Sequence, residues 1–113
     1  MAAREIPLLK FLQVTLDVSG NGTVEMGPSL NGVTWHVTSI AISVEPRPST
    51  SEPECAVYQK GTFIGGSYSG SLDSANGSWE LQTQEKIKAV WTGGDAGKTA
   101  TLTLMGKETI IGG

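Results

Sequence analysis

The stretch KIKAVWTGGDAGKTATLTLM, residues 86–105, decides between two kinds of fold. Its middle ends in Gly97-Lys98-Thr99, which are the last three residues of a phosphate-binding P-loop. A P-loop also has a glycine five residues before Gly97, where this chain has Thr92, and a helix after the loop. The residues after Thr99 instead alternate apolar side chains with threonines, which is typical of a strand. The stretch therefore predicts two strands joined as a hairpin by a glycine-rich turn.

The same two-residue period extends outward along most of the chain. Leu12, Val14, Leu16 and Val18 share one face of a predicted strand, and no segment shows a convincing apolar repeat at helical spacing. The run Ser19 to Gly22 predicts a hairpin, and the Asn-Gly pair at 76–77 predicts a further turn, because Asn-Gly accepts positive φ. With fifteen glycines and few helix formers, we predict an all-β protein of about eight antiparallel strands, arranged as a single β-sandwich or jelly roll.

The longest predicted strand, residues 33–44, changes phase in its middle. Its apolar side chains occupy odd positions up to Val37 and even positions from Ile40 onward. A slip of one residue predicts either a β-bulge near Thr38-Ser39 or a strand that passes from one sheet to the other at a corner of the sandwich.

The chain divides into three predicted parts. Residues 1–10 form an N-terminal arm with Pro7 inside it, residues 11–106 form the β-sandwich domain, and residues 107–113 form a C-terminal tail. The proline-rich segment 45–54 predicts a long exposed loop, which is either a contact loop or a plain connector. The arm and the tail either dock onto another protein or pair as edge strands of the chain's own sheet.

Length and charge restrict the function classes. A chain of 113 residues makes one domain. Its formal net charge is −3 and its eight Lys and Arg are scattered, so no basic stripe predicts a nucleic-acid surface. No run of about 18 apolar residues predicts a membrane span, and the N-terminus lacks a signal-peptide pattern, so we expect synthesis and folding in a cytoplasm.

Few residues suggest catalysis or metal binding. Cys55 is the one cysteine and His36 the one histidine, so a thiol nucleophile would have to pair with that imidazole, whereas a lone Cys in an apolar run is typical of a core. Glu52 and Glu54 could hold a calcium ion but lack a glycine-rich ligand pattern. Asp73 and Glu80 flank the predicted 76–77 turn without marking an acid–base pair. We predict no catalytic residue, cofactor or metal.

The order of several short motifs resembles a known group of proteins. A Gly27-Pro28 turn precedes a strand with Trp35 and Ile40-Ala41, and a "VY" pair follows at Val57-Tyr58. The further matching positions are Gly66, Tyr68, Gly70, Asp73, Ala89-Val90-Trp91, Gly93-Gly94 and Thr99-Ala100-Thr101-Leu102. Together, over residues 27–102, these motifs resemble small β-rich virion proteins of tailed actinobacteriophages; the stretch YQKGTFIGGSYSG departs from the pattern by lacking an arginine after its first tyrosine.

The resemblance implies a structural, non-enzymatic role in the virion. We expect a protein that decorates or cements the capsid surface as a homo-oligomer, with a trimer as the working guess, and that binds the major capsid protein; a minor tail or baseplate position is the alternative. A carbohydrate-binding module that contacts a host-surface glycan through exposed aromatics is the rival of another class, and a small β-sandwich hydrolase is a third. The predicted partner-binding residues are Ile6, Leu8, Leu9, Arg47, Ile110 and Ile111.

Overall fold

A computed structural model describes residues 3–45, 53–59, 62–63, 68–69 and 72–111. Every regular element in this part of the chain is a strand, so the predicted all-β class is confirmed. The strands are β1 (Ala3–Thr15), β2 (Gly22–Met26), β3 (Val33–Glu45), β4 (Glu54–Gln59), β5 (Thr62–Phe63), β6 (Tyr68–Ser69), β7 (Leu72–Leu81), β8 (Ile87–Thr92) and β9 (Thr99–Ile111).

The strands form two antiparallel sheets that pack face to face as a β-sandwich. The larger strands β1, β9, β3 and β7 lie in that order in a four-stranded sheet. The order of the second sheet is β2, β8, β4 and β5, with β6 also paired to β4. Each connection from β1 to β4, and each from β6 to β9, therefore crosses from one sheet to the other.

This crossing corrects the two predicted hairpins. Strand β8 pairs with β2 and β4, whereas β9 pairs with β1 and β3, so the glycine-rich loop between them is an arch that joins the sheets. The predicted hairpin at Ser19 to Gly22 is likewise an arch, from β1 to β2. The two arches lie side by side, and the Gly94 N–H donates to the Gly20 carbonyl at 3.0 Å. A turn signal marks where the chain reverses, but packing of both apolar faces on one core decides which sheet the next strand joins.

The predicted turn at 76–77 is also wrong, because both residues lie inside β7. The strand continues through this Asn-Gly pair: Asn76 pairs with Ser39 and Trp79 with Val37 of β3, and Gly77 lies in the register shift between them. Gly77 serves packing instead of chain reversal: a Cβ there would lie 2.8 Å from Cη2 of Trp79, so the glycine makes room for the indole ring.

The phase change in β3 is a β-bulge, and the alternative of a sheet crossing is excluded. Val37 pairs with Gly106 and Ser39 pairs with Met105, so no residue of β9 lies opposite Thr38, whose Oγ1 donates to the Met105 carbonyl at 3.4 Å. The same strand stays in the four-stranded sheet along its whole length. The bulge lets the two out-of-phase halves of β3 point their apolar side chains into the same core.

The core lies between the sheets and is apolar. Trp91 of β8, Leu104 of β9 and Ile40 of β3 are completely buried. The other buried apolar side chains are Leu8, Leu16, Val24, Met26, Val33, Trp35, Val37, Ile42, Val44, Cys55, Val57, Leu81, Ile87, Ala89, Ala100 and Leu102. Val14, Trp79 and Ile110 pack against this cluster while partly exposed.

The predicted arm and tail pair with each other. Residues 3–10 form the first part of β1 and pair with residues 104–111 of β9, from Ala3 opposite Ile111 to Lys10 opposite Leu104. Both strands run through the boundaries predicted at residues 10 and 106 without interruption. Of the two alternatives for the chain ends, the structure has the one in which they pair within their own sheet. Most of the predicted loop, residues 46–52, lies outside the described residues.

Candidate functional site

The edge strand β1 carries four of the eight large exposed apolar side chains of the described residues. Leu9 and Phe11 point away from the core, with 64% and 61% of their surfaces exposed. Met105 of β9 pairs with Leu9 and is exposed on the same outer face. Ile6 and Leu12 alternate with them and are exposed along the open edge of the strand. We call these five residues the apolar edge.

The two sheets differ in length, which bears on the members of the apolar edge that lie on the core-facing side of β1. Strand β1 has 13 residues, whereas β2, which begins the second sheet, has five. Leu12 lies on the core-facing side opposite Leu102, yet 44% of its surface is exposed while Leu102 is buried. A large exposed apolar patch on a single chain is typical of a surface that binds another protein.

The structure separates the six predicted partner-binding residues. Ile6, Leu9 and Ile111 are exposed and available to a partner. Leu8 is 3% exposed and belongs to the core, and Ile110 is partly buried against it. The sixth residue, Arg47, lies outside the described residues.

Sequence reasoning missed Phe11, Leu12 and Met105. Leu12 begins an alternating run in which Val14 and Leu16 pack on the core, so its pattern predicted burial; the last member, Val18, lies beyond β1 and is exposed. Only the position of β1 at the edge of the sheet exposes it. Phe11 and Met105 carried a usable signal, because each is an apolar residue at the phase of the polar face in a strand of strict alternation.

A polar concavity lies on the outer face of the same sheet. It has a volume of about 450 Å³ and is lined by Glu5, Thr34, His36, Thr38, Glu80, Lys107 and Thr109. His36 is central: its Nε2 lies 3.0 Å from Oγ of Ser78. The Glu80 carboxylate accepts a hydrogen bond of 2.8 Å from Nε2 of Gln82. The concavity therefore combines both signs of charge on a regular sheet surface.

The Ser78–His36 contact has the spacing of a nucleophile and its base but lacks the supporting parts. Such a pair needs a third group that orients the imidazole and donors that stabilise an oxyanion. Among the described residues, His36 has Ser78 as its one side-chain hydrogen-bond partner. Both side chains are exposed to solvent. The arrangement favours a surface hydrogen bond that ties β3 to β7 across the bulge.

Cys55 cannot use His36 as a base. Its side chain is buried on the core-facing side of β4, whereas His36 points outward from β3 in the other sheet. Burial raises the pKa of the Cys55 thiol to about 12, with a smaller opposing effect of a hydrogen bond to the Val90 backbone. A thiol with this pKa is protonated at neutral pH and is a poor nucleophile.

The acidic pair considered from the sequence is far apart. Asp73 and Glu80 both lie on β7, seven positions from each other, which corresponds to about 23 Å along an extended strand. They do not flank a turn. Glu54 is exposed at the start of β4, and its predicted companion Glu52 lies outside the described residues.

The tryptophans face inward. Trp91 and Trp35 are buried, and the Trp35 indole N–H donates to Glu108 Oε2 at 2.8 Å. Trp79 is half-buried and packs against the core. Tyr58 on the outer face of the second sheet is partly covered by Lys88, whose Nζ lies 5.5 Å from the ring centroid.

The lysine of the P-loop-like segment has a local partner. Lys98 Nζ lies 3.4 Å from Asp95 Oδ2 within the arch, and a strand follows where a P-loop has a helix. In the part of the chain that the structure describes, no three His, Cys, Asp or Glu side chains cluster as metal ligands do. No helix that could cross a membrane occurs among those residues. Comparison of the chain with protein-family models, curated proteins and solved structures gave no match.

Proposed function

We propose that this chain is a non-enzymatic structural protein of a phage virion that decorates or cements the capsid surface as a homo-oligomer. The observation that carries the proposal is the apolar edge. An exposed strand edge with apolar side chains tends to pair with another chain, and natural monomers protect such edges. A protein that binds other copies of itself and a capsid lattice needs a binding surface of this kind.

The order of the strands supports the same class. The orders β1-β9-β3-β7 and β2-β8-β4-β5 place successive strands from β1 to β4, and from β6 to β9, in alternate sheets, as two interlocked Greek keys do. We therefore propose the jelly-roll topology for the sandwich. Viral capsid proteins and lectins both use this architecture, so the architecture alone leaves the function open.

The buried tryptophans favour the virion role over glycan binding. Sugar rings stack on exposed aromatic faces, and here Trp35 and Trp91 are part of the core. Phe11 is an exposed aromatic, but it lies among aliphatic side chains on the apolar edge. The phage assignment itself rests on the resemblance of residues 27–102, and a minor tail or baseplate position is the alternative within it.

Purified virions of the phage whose genome encodes the chain provide the test. We expect its peptides in the virion by mass spectrometry, at a copy number comparable with that of the major capsid protein. Detection of only a few copies per virion, in the fraction of separated tails, would favour the minor tail alternative. Absence from the virion, together with binding of the purified protein to host polysaccharide, would replace it with the glycan-binding function.

A further inference from the structure

Among the described residues no strand pairs with β1 on the side away from β9, and this free edge presents a defined set of backbone groups. At one end of the strand the Leu16 N–H donates to Lys98, so even-numbered residues of β1 point their backbone groups toward β9. At the other end of β9, the Ile111 N–H donates to the Gly32 carbonyl, on the side of β9 that faces β3. The backbone groups of the neighbouring residue, Ile110, therefore face β1, where its partner is Arg4, another even position. Because the pairing of β1 with β9 has no register shift, the odd positions point to the free edge. Pro7 occupies an odd position, so the backbone N–H that proline lacks is not needed for a hydrogen bond to β9.

The residues of β1 are self-complementary about Leu9. Three positions before and after it are Ile6 and Leu12, both exposed and apolar. Two positions before and after it are Pro7 and Phe11, and four positions away are the polar Glu5 and Gln13. At these positions, two such strands placed antiparallel with Leu9 opposite Leu9 match apolar with apolar and polar with polar side chains, whereas Leu8 falls opposite Lys10 and Arg4 opposite Val14.

Neighbouring symmetric registers match less well. Pairing about Pro7 places Arg4 opposite Lys10, which brings like charges together. Pairing about Leu8 places Lys10 opposite Ile6 and Glu5 opposite Phe11, and pairing about Lys10 places that lysine opposite itself. The register about Leu9 also aligns the outward backbone groups of residues 5–13, which supply about eight main-chain hydrogen bonds between the copies.

We infer that two copies of this chain pair through β1, antiparallel and two-fold symmetric about Leu9, so that two four-stranded sheets become one continuous sheet. This inference deepens the proposed function, on which it rests, by naming the partner at the apolar edge as a second copy. Across the two-fold axis, Leu9, Phe11 and Met105 of the two copies form one apolar patch on the outer face of the joined sheet. The trimer expected from the sequence is the competing arrangement.

Mass in solution tests the inference directly. We expect the wild-type protein to be a dimer by sedimentation equilibrium, and we expect Leu9→Lys to raise the dimer dissociation constant at least tenfold, because two lysines then face each other across the axis. Thr23→Lys is the matched control: it adds the same charge to an exposed position on β2 of the other sheet, outside the apolar edge, and it should remain a dimer. Circular dichroism confirms that each variant is folded.

Cysteine cross-linking tests the register. Leu9→Cys should form a disulfide-linked dimer rapidly, whereas Gln13→Cys should not, because position 13 lies opposite position 5; the buried Cys55 does not interfere. A monomeric or trimeric wild-type protein, or a dimer unaffected by Leu9→Lys, would overturn the inference. If the chain is a monomer that is abundant in virions, the proposed virion role stands and the inferred β1 pairing is wrong. If it is a β1 dimer that is absent from virions, the pairing stands and the proposed virion role is wrong.

Discussion

Gly106 is the residue that makes the bulge in β3 possible. A Cβ at this position would overlap the carbonyl oxygen of His36 and lie 3.0 Å from the Thr38 nitrogen. Both of these atoms belong to the backbone, so neither can rotate away as a flexible side chain would. The close approach of β9 to the bulged part of β3 therefore requires a residue without a side chain.

We expect Gly106→Ala to lower the free energy of unfolding by roughly 3 kcal/mol or more, because the backbone must move to accept the methyl group. Gly93→Ala is the matched control. Its φ of 75° disfavours alanine, but no atom lies within 4 Å of the new Cβ. It should cost about 1 kcal/mol. Urea unfolding followed by tryptophan fluorescence measures both values, and equal costs would contradict the role given to Gly106.

The buried thiol of Cys55 makes stability depend on alkaline pH. Burial raises its pKa from 9.0 to about 12 in the folded protein. Below pH 9 both states keep the proton and the contribution to stability is fully present. Between pH 9 and about 12 the unfolded state loses the proton first, so the free energy of unfolding falls as the pH rises.

Comparison with Cys55→Ala isolates this contribution from other groups that titrate in the same range. The difference in unfolding free energy between the wild type and the variant should be constant around neutral pH and should shift against the wild type above pH 9. A difference that does not change with pH would show that the folded thiol titrates normally.

Among the elements, β3 shows most clearly how pattern becomes structure. Its two apolar phases are joined by Thr38, an exposed residue that has no residue of β9 opposite it. Removing that residue restores a strict alternation in which Val37 and Ile40 fall on the same face. The bulge therefore compensates for the change of phase in the apolar pattern of β3.

Deletion of Thr38 should therefore be tolerated better than deletion of Ala41 from the same strand. We expect loss of Thr38 to cost about 1–3 kcal/mol, because the edge strand β7 can bow outward to absorb the mismatch. Loss of Ala41 would turn Ile42 and Val44 away from the core and should prevent folding. Circular dichroism and urea unfolding distinguish the two deletions. Equal damage from both would show that the bulge itself is needed.

Alternation predicted the strands and their buried faces, but it could not predict their partners. The loop at Gly93 to Thr99 and the turn at Asn21-Gly22 both reverse the chain correctly, yet each joins two sheets. Hairpins and arches share the same local chemistry, and only the packing of the whole core distinguishes them. For the same reason Leu9 was found as a candidate while Leu12 was not: its exposure depends on which strand lies at the edge.

At the scale of the molecule, the interleaved connections leave one core shared by both sheets. Trp35 reports on the four-stranded sheet and Trp91 on the second sheet, and both are buried between them. Neither sheet can keep its apolar face covered when the other is lost. The sandwich should therefore unfold as a single unit.

Tryptophan replacements test this expectation. In Trp91→Phe the fluorescence follows Trp35 and Trp79 of the four-stranded sheet, and in the double variant Trp35→Phe/Trp79→Phe it follows Trp91 of the second sheet. We expect the fluorescence and circular dichroism transitions of each variant to coincide at one urea concentration. A sheet that lost its fluorescence signal at lower urea than the circular dichroism transition would show that it opens independently.

The place of β9 in its sheet also sets the order of events during synthesis. β9 lies between β1 and β3, although it is the last of the described strands to be made. Until it leaves the ribosome, β1 has no partner on either side. At about 5–20 residues per second, the first strand waits for several seconds with its apolar side chains uncovered. Completion of the four-stranded sheet is therefore a post-translational event, and early nascent chains are the state most exposed to aggregation.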